Sequence, residues 1–267
     1  MDESGASYDD VVLEAQRLGY AESDPTMDVD GTDAAQKLAI LAHLAFGASV
    51  DWSQIPRSGI DGLNPEDLLY AHKLGYRIKL LATANLADDG LELSVSPTLI
   101  PIGTPLAEVR DAYNAIQVIG DAVGPVFYHG LGAGQMPTAS AVAADLIDTA
   151  VGRTRLTFQT LEYFSVDQPP RVKLRDGDTS TGRYYFRLSV SNHPGTLASI
   201  AKVLAEHGIS IASVIQHEGR EGGPHRDPVP LVIMTHMATE GEARAATADI
   251  QALTSVSGQV VRLRVKD

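Results

Sequence analysis

The last third of the chain carries the pattern that leaves the fewest folds open. From Arg183 onward, Tyr184, Phe186, Leu188 and Val190 recur at every second position, the period of a strand with one buried face. Pro194-Gly195 then opens a helical stretch that sets Leu197, Ile200 and Leu204 on one side. Residues 209–216 and 229–235 read as strands, 240–253 as a helix and 259–265 as a last strand. The order β-α-β-β-α-β predicts a ferredoxin-like arrangement over 183–267.

Upstream the periods are first helical, then strand-like. Tyr8, Val11, Val12, Ala15 and Leu18 share helical spacing, with Gly19 as the stop. A polar loop over 20–31 leads to a helix over 32–46, with Ala34, Leu38, Leu41, Leu44 and Ala45 as its apolar positions. Asn64-Pro65-Glu66-Asp67 is a helix cap with proline in the first turn. Strands over 76–86 and 91–100 flank the turn Ala87-Asp88-Asp89-Gly90. A short apolar stretch at 114–122, a strand at 125–129 and a helix over 134–149 follow. Pro169, Pro170, Asp176, Gly177 and Gly182 then mark 166–182 as a linker. The fold class expected is α+β: a mixed-sheet domain over 1–165, the linker, and the ferredoxin-like domain.

Composition narrows the partners. The chain has 267 residues, 44% of them hydrophobic and 21% charged, enough for two domains with cores that need no staple. Its 34 acidic side chains against 21 Lys and Arg give a formal charge of −13, which repels phosphates and argues against nucleic acid or an anionic membrane. The absence of cysteine excludes disulfides, thiolate catalysis and Cys-ligated zinc. The histidines show no ligand spacing, so no metal site is expected. The N-terminal residues lack a signal-peptide pattern, and the apolar run over 38–46 falls short of the roughly 18 residues that span a bilayer. A cytoplasmic protein is expected.

Chemistry concentrates between Gly19 and Leu38, where Glu22, Asp24, Asp28, Asp30, Asp33 and Lys37 fall together. Asp33 and Lys37 are four apart on a helix. One reading is an exposed ion pair worth roughly 0.3–0.5 kcal/mol. The other is a carboxylate cluster that binds a substrate ammonium beside a lysine that moves a proton. A lysine does so near neutrality only when desolvated, and an adjacent carboxylate opposes that change, so Asp33 would orient Lys37 or hold substrate. Spacing leaves both open. The run Gly130-Leu131-Gly132-Ala133-Gly134 precedes a helix and could face an anion. It is not GxGxxG, since Gln135 fills the third position, and a tight strand-to-helix turn is the plainer reading of the bare pattern.

The string GYAESDPTMDVDGTDAAQKLAILAHLAFG over 19–47 resembles the signature of homoserine dehydrogenases, which interconvert aspartate semialdehyde and homoserine. The resemblance continues through RSGIDGL at 57–63, GYRIKLLATA at 75–84 and GLGAGQMPTASAVAADLID at 130–148. It implies that Lys37 is the proton donor and acceptor, with Asp33 beside it, and that Glu22, Asp28 and Asp33 bind homoserine through its amino and hydroxyl groups. Lys79, in the matching IKLL stretch, is either a substrate-site residue or a lysine on the sheet surface. Gly19, Gly132 and Gly134 would lie beside the nicotinamide end of the cofactor. The first domain would then bind substrate and form a homodimer or homotetramer.

The family's NADP or NAD is held mainly by an N-terminal Rossmann domain, and no GxGxxG follows a strand here. The chain is therefore expected to start inside the protein, with remnants of the nucleotide domain at 1–22 and 130–152. Alone it is expected to bind NADPH weakly or not at all and to be inactive. A non-catalytic regulatory or assembly subunit is the alternative. The stretch LSVSNHPGTLASIAKVLAEHGISIASVIQ at 188–216 resembles an ACT domain, the amino-acid-sensing module of biosynthetic enzymes. Asn192, His193 and Gly195 sit where such domains meet an effector, and threonine is the effector implied; a purely structural ACT domain is the other reading.

Overall fold

Three helices open the computed structural model, which describes residues 8–17, 24–162, 172–216 and 228–266: α1 (Tyr8–Arg17), α2 (Thr26–Val29) and α3 (Thr32–Phe46). α3 has the bounds its periodicity predicts, but its buried face is shifted. Ala35, Leu38 and Ala42 are the buried residues, packed with Ile55, Leu91, Leu93 and Val95. Leu41 and Leu44, expected inside, are exposed with Ile40. The helix is apolar around more than half its circumference, so spacing alone could not choose the face.

Next come α4 (Pro65–Lys73) and the hairpin of β1 (Tyr76–Ala87) and β2 (Gly90–Pro101), in register from Tyr76↔Pro101 to Ala87↔Gly90. α4 starts as its cap predicts: Asn64 and Asp67 form a capping box, with Pro65 in the first turn. Leu80 and Ala84 pack toward α3, and Tyr76 and Ile78 toward α4, so both helices lie on one face of the hairpin.

Beyond it lie β3 (Tyr113–Gly120), β4 (Gly124–Leu131), α5 (Gln135–Ala150) and α6 (Arg153–Glu162). The C-terminal block supplies β5 (Thr181–Ser191), α7 (Thr196–Glu206), β6 (Ile211–Gln216), β7 (Pro228–Thr235), β8 (Ala238–Thr239), α8 (Glu240–Gln251) and β9 (Val256–Val265). Apart from the two-residue β8, this is the predicted β-α-β-β-α-β order.

The main sheet runs β1-β2-β9-β5-β7-β6, with β8 beside β5. It crosses the expected domain boundary. β2 and β9 pair in parallel through Thr98↔Arg264 and Leu99↔Val265, and the Lys266 amide donates to the Leu99 carbonyl at 2.9 Å. α7 and α8 cover one face, where Tyr184, Phe186, Leu188, Ile200, Leu231, Ile233 and Ile250 form the largest core. The other face, with Tyr185, Val232, Met234 and Leu263, packs on Tyr70 and Ala71 of α4. The C-terminal sheet is thus sandwiched between its own helices and a helix of the first block.

The described part of the predicted linker, 172–182, is not a free tether. Val172 packs on the α3 cluster, the Leu91 amide donates to the Lys173 carbonyl at 2.9 Å, and the Arg175 amide donates to the Leu91 carbonyl at 3.0 Å. Ser180 is buried and donates to Glu92 at 2.5 Å. This stretch is poor in large apolar residues because its backbone and small polar groups, not its side-chain volume, hold it against β2. Arg264 reaches both Glu92, at 2.9 Å, and Ser180, and so extends the polar seam into β9. At the far end of that seam, burial and then the charge of Glu240 push the Tyr184 phenol up to about 12.

The β3–β4 hairpin and α5 are built differently. Among the described residues from 108 to 157 none is buried, although Ile119, Tyr128, Met136, Leu146 and Leu156 are large and apolar.

Phe186 is fully buried between α7 and α8, so Phe186→Ala should cost about 3–5 kcal/mol. Urea unfolding of the two proteins measures this, and a loss below about 1 kcal/mol would contradict the packing described.

Candidate active site

The acidic turn before α3 is assembled by short-range bonds. Asp24 accepts from the Thr26 amide at 3.1 Å and its hydroxyl at 2.5 Å, which starts α2. Asp28 projects from α2 and is exposed. Asp30 accepts from the Thr32 amide at 2.7 Å and its hydroxyl at 2.9 Å, which ties down the first turn of α3. Gly31 between them has φ +83°, a left-handed conformation that favours glycine, and a Cβ there would sit 3.1 Å from Val95. These bonds hold the Asp30 carboxyl below its ordinary range; the Thr32 amide is the largest cause, its hydroxyl the next, and both outweigh burial.

One turn into α3, Lys37 Nζ donates to Asp33 Oδ2 at 2.5 Å. The pair is accessible, with 64% of the Lys37 side chain and 38% of that of Asp33 exposed. Asp33 is therefore placed to orient the lysine, as its spacing allowed. Ile40, Leu41 and Leu44 continue three, four and seven residues along the same side, so the ammonium sits at the end of an exposed apolar stripe. Asp28, Asp33 and Lys37 are thus gathered at one end of α3. Gly19 and Glu22 lie outside the described residues.

Lys79 is placed elsewhere. Its neighbours Ile78 and Leu80 point toward α4 and α3, and strand alternation puts Lys79 on the opposite face of the hairpin, where Nζ donates to the Val109 carbonyl at 2.7 Å. Within one chain the structure does not bring it to Lys37.

Gly132 and Gly134 form the turn from β4 to α5, with Gly134 at φ +115°. A Cβ on Gly132 would lie 1.9 Å from Asn114 Nδ2, so the Asn114 side chain already fills that space. At Gly130 no atom lies within 4 Å, and at Gly134 only Pro137 does, so backbone is open to a flat group there.

The loop RSGIDGL carried part of the resemblance but no role. Its backbone is pressed on the acidic turn. The Ile60 amide donates to the Val29 carbonyl at 2.8 Å, and a Cβ on Gly59 would meet that carbonyl at 2.2 Å. Only a glycine permits this approach, and glycine inside a motif at 57–63 was the available signal.

A cavity lies on the C-terminal block. Asn192, His193 and Gly195 line this open cavity of about 310 Å³ between the end of β5 and the start of α7, with Gln216 and Leu231 also in its lining. Gly195 precedes α7 in a left-handed conformation, φ +95°. The Thr196 amide donates to the His193 carbonyl at 3.2 Å and the Thr196 hydroxyl to the Ser191 carbonyl at 3.0 Å, which shapes the turn. The positive end of a helix over such a cavity suits a carboxylate. Among the described residues no group of three or more His, Asp or Glu could hold a metal ion. No helix of the described residues is long and apolar enough to cross a membrane.

A carboxylate–lysine turn at the start of α3, beside a hairpin whose sheet continues into a β-α-β-β-α-β block, defines the class: a two-part α+β protein joined through one sheet. Residues 1–147 match the profile of homoserine dehydrogenase, and residues 184–254 that of the ACT domain. The chain belongs to the homoserine dehydrogenase family, and its C-terminal block is an ACT domain.

Relatives agree. The homoserine dehydrogenase of Pseudomonas aeruginosa is 42% identical over 271 positions, and that of Neisseria gonorrhoeae 40% over 269. Each alignment covers all of this chain and 61% of the relative. A crystal structure of a homoserine dehydrogenase from Thiobacillus denitrificans, 44% identical, superposes with a TM-score of 0.86 over the whole chain and 60% of its own length. The chain therefore spans about three-fifths of the length of these relatives.

Asp30→Ala should lower stability at neutral pH by about 0.5–2 kcal/mol through loss of the tie to the first turn of α3. Because the folded carboxyl is held low, its contribution is present above the unfolded value of about 4 and is lost as pH falls through the folded one. Urea unfolding at neutral and acid pH tests this, and a wild-type advantage that persists undiminished in acid would rule it out.

Proposed function

We propose that this chain carries the substrate site of a homoserine dehydrogenase, with L-homoserine or L-aspartate 4-semialdehyde bound at the turn from Asp28 to Lys37. The observation that carries the reading is the 2.5 Å contact of Lys37 Nζ with Asp33 at the end of α3, inside the stretch that bears the family's motif. Asp28 and Asp33, with Glu22, supply negative charge for the amino acid's ammonium. Asp33 holds Lys37 Nζ, which delivers a proton to the aldehyde oxygen in reduction and takes it from the homoserine hydroxyl in the reverse direction.

The apolar side chains of Ile40, Leu41 and Leu44 give the lysine a surface from which water can be excluded once it is covered. Exposed apolar residues on the β3–β4 hairpin and α5 support a homodimer or homotetramer as the working state. Lys79 is left out of this assignment.

A nicotinamide nucleotide, NADP or NAD, supplies the hydride when bound. The residues present fit only part of it. Gly130 and Gly134 leave open backbone for a flat ring, with Gly19 assigned to the same region by the family motif. Gly132 offers no such space, because Asn114 occupies it. No GxGxxG turn is present in the sequence, so the phosphates are held elsewhere and this chain alone binds NADPH weakly and turns over little.

Calorimetric titration with homoserine should show binding by the chain, and Asp33→Asn should weaken it by about tenfold or more with an unchanged melting temperature, a loss typical of a charge-assisted hydrogen bond. Absence of homoserine binding at millimolar concentrations would sink the substrate assignment. The cavity lined by Asn192, His193 and Gly195 is assigned to an amino-acid effector, threonine. At about 100 times its dissociation constant a ligand stabilises by about 2.7 kcal/mol, so threonine should raise the melting temperature, and Asn192→Ala should reduce that rise. A melt that does not move leaves the domain a structural one.

A further inference from the structure

A buried charge pair joins the two blocks. Asp67, in the first turn of α4, is 0% exposed, and Arg187, on β5 of the ACT domain, is also buried. Arg187 Nε donates to Asp67 Oδ1 at 2.5 Å and Nη2 donates to Oδ2 at 3.0 Å, a bidentate contact. Asp67 also accepts from the Asn64 amide at 3.1 Å and from the Tyr185 hydroxyl at 3.4 Å. Burial alone would weaken the charge on Arg187, yet the hydrogen bond and charge of Asp67 outweigh it and hold the guanidinium above its ordinary value.

The same carboxylate thus holds both an arginine on the regulatory sheet and the backbone that enters α4. From Asn64 the chain runs back through Leu63, whose amide donates to the Ile60 carbonyl at 3.1 Å. The Ile60 amide in turn donates to the Val29 carbonyl, at 2.8 Å. Val29 lies between Asp28 and Asp30, and the bare backbone of Gly59 rests against it. Hydrogen bonds and the Leu63–Asn64 peptide link therefore connect Arg187, Asp67, Asn64, Leu63 and Ile60 to the Val29 carbonyl, next in sequence to Asp28.

Stability alone is weak grounds for such a pair. A buried ion pair is commonly no better than well-packed apolar residues of similar volume, and the surrounding face, with Val232, Met234 and Leu263, is apolar. What the pair adds is direction: a planar fork fixes the carboxylate in one orientation, which in turn fixes the start of α4.

We propose that Arg187 is a positioning residue for the substrate site: through Asp67 it sets the 60–64 loop, and the loop sets the turn that carries Asp28 and Asp33. The substrate role of that turn rests on the function proposed above; the mechanical role of the pair does not. Arg187 precedes by four residues the strand end at Ser191, which opens the effector cavity. A ligand that shifts β5 there has a route to the substrate carboxylates within a single chain.

The test is hydrogen–deuterium exchange on the ligand-free chain, comparing wild type with the apolar pair Asp67→Leu/Arg187→Met. Exchange over 27–36 and 57–66 should rise by about tenfold or more, while α7 and α8 keep wild-type protection, the signature of a local opening. Arg187→Lys keeps the charge but loses the fork, and should give a smaller rise in the same two segments. It also keeps the proposal testable if the double variant does not fold. Two results overturn it: exchange over 27–36 that stays at the wild-type rate, or a rise shared equally by α7 and α8, which would make the pair a general structural contact. Because no ligand is present, failure of homoserine to bind in the separate titration would count against the substrate assignment and leave this result standing.

Discussion

The rest of this structure depends on a short piece of parallel pairing between β2 and β9. Two residue pairs, Thr98↔Arg264 and Leu99↔Val265, join a hairpin from the first block to the sheet of the ACT domain. A parallel contact between segments so far apart in sequence has no local turn to enforce it. It persists because both sides of the junction are filled. Leu99 packs with Tyr70 and Tyr185 on one face, while Glu92, Arg264 and Ser180 bond along the neighbouring seam. With the sheet continuous, α4 lies against the ACT strands, Asp67 can reach Arg187, and the loop before α4 is carried to the acidic turn. Separate domains on a tether would leave none of those contacts in register.

Much of this could be read from the sequence, and the parts that could not have a common cause. Elements whose own residues bury their faces, such as β5, α7 and β7, stand where alternation and helical spacing put them. α4 begins at Asn64 because its capping signal is local. What escaped is long-range. The stretch 166–182 reads as a linker from its Gly, Pro and Asp content, and nothing local shows that its 172–182 part would bond along β2. α3 has the predicted bounds, yet an apolar surface wider than half its circumference left the buried face to be chosen by Ile55, Leu93 and Val95. Of the site, Asp33 and Lys37 were legible as a pair. Their role came from the family motif and not from the spacing, which fits an exposed ion pair just as well.

Gly59 shows how the same information can be present and unused. Its conformation is unremarkable, with no left-handed φ, so no turn rule singles it out. The requirement is steric and comes from a segment thirty residues away in sequence, where the Val29 carbonyl occupies the place a side chain would take. Gly132 is similar, with Asn114 as the occupant. Both glycines belong to motifs that look like ligand cradles or flexible turns. Each is instead fixed by a neighbour from another segment.

Lys37, the proton donor proposed above, stands on the outer surface of the fold. An ammonium that exchanges a proton with a substrate oxygen, the role proposed for Lys37, needs its hydration reduced. Nothing in the described chain reduces it. The apolar stripe of Ile40, Leu41 and Leu44 leads away from the lysine, and further apolar side chains stand out on β3, β4 and α5. Apolar surface of this extent is seldom left open to water. A surface laid over α3 would bury the stripe and strip water from the lysine in one step. If Lys37 moves the substrate proton as proposed, then covering the apolar side chains of α3 and preparing the lysine are one event.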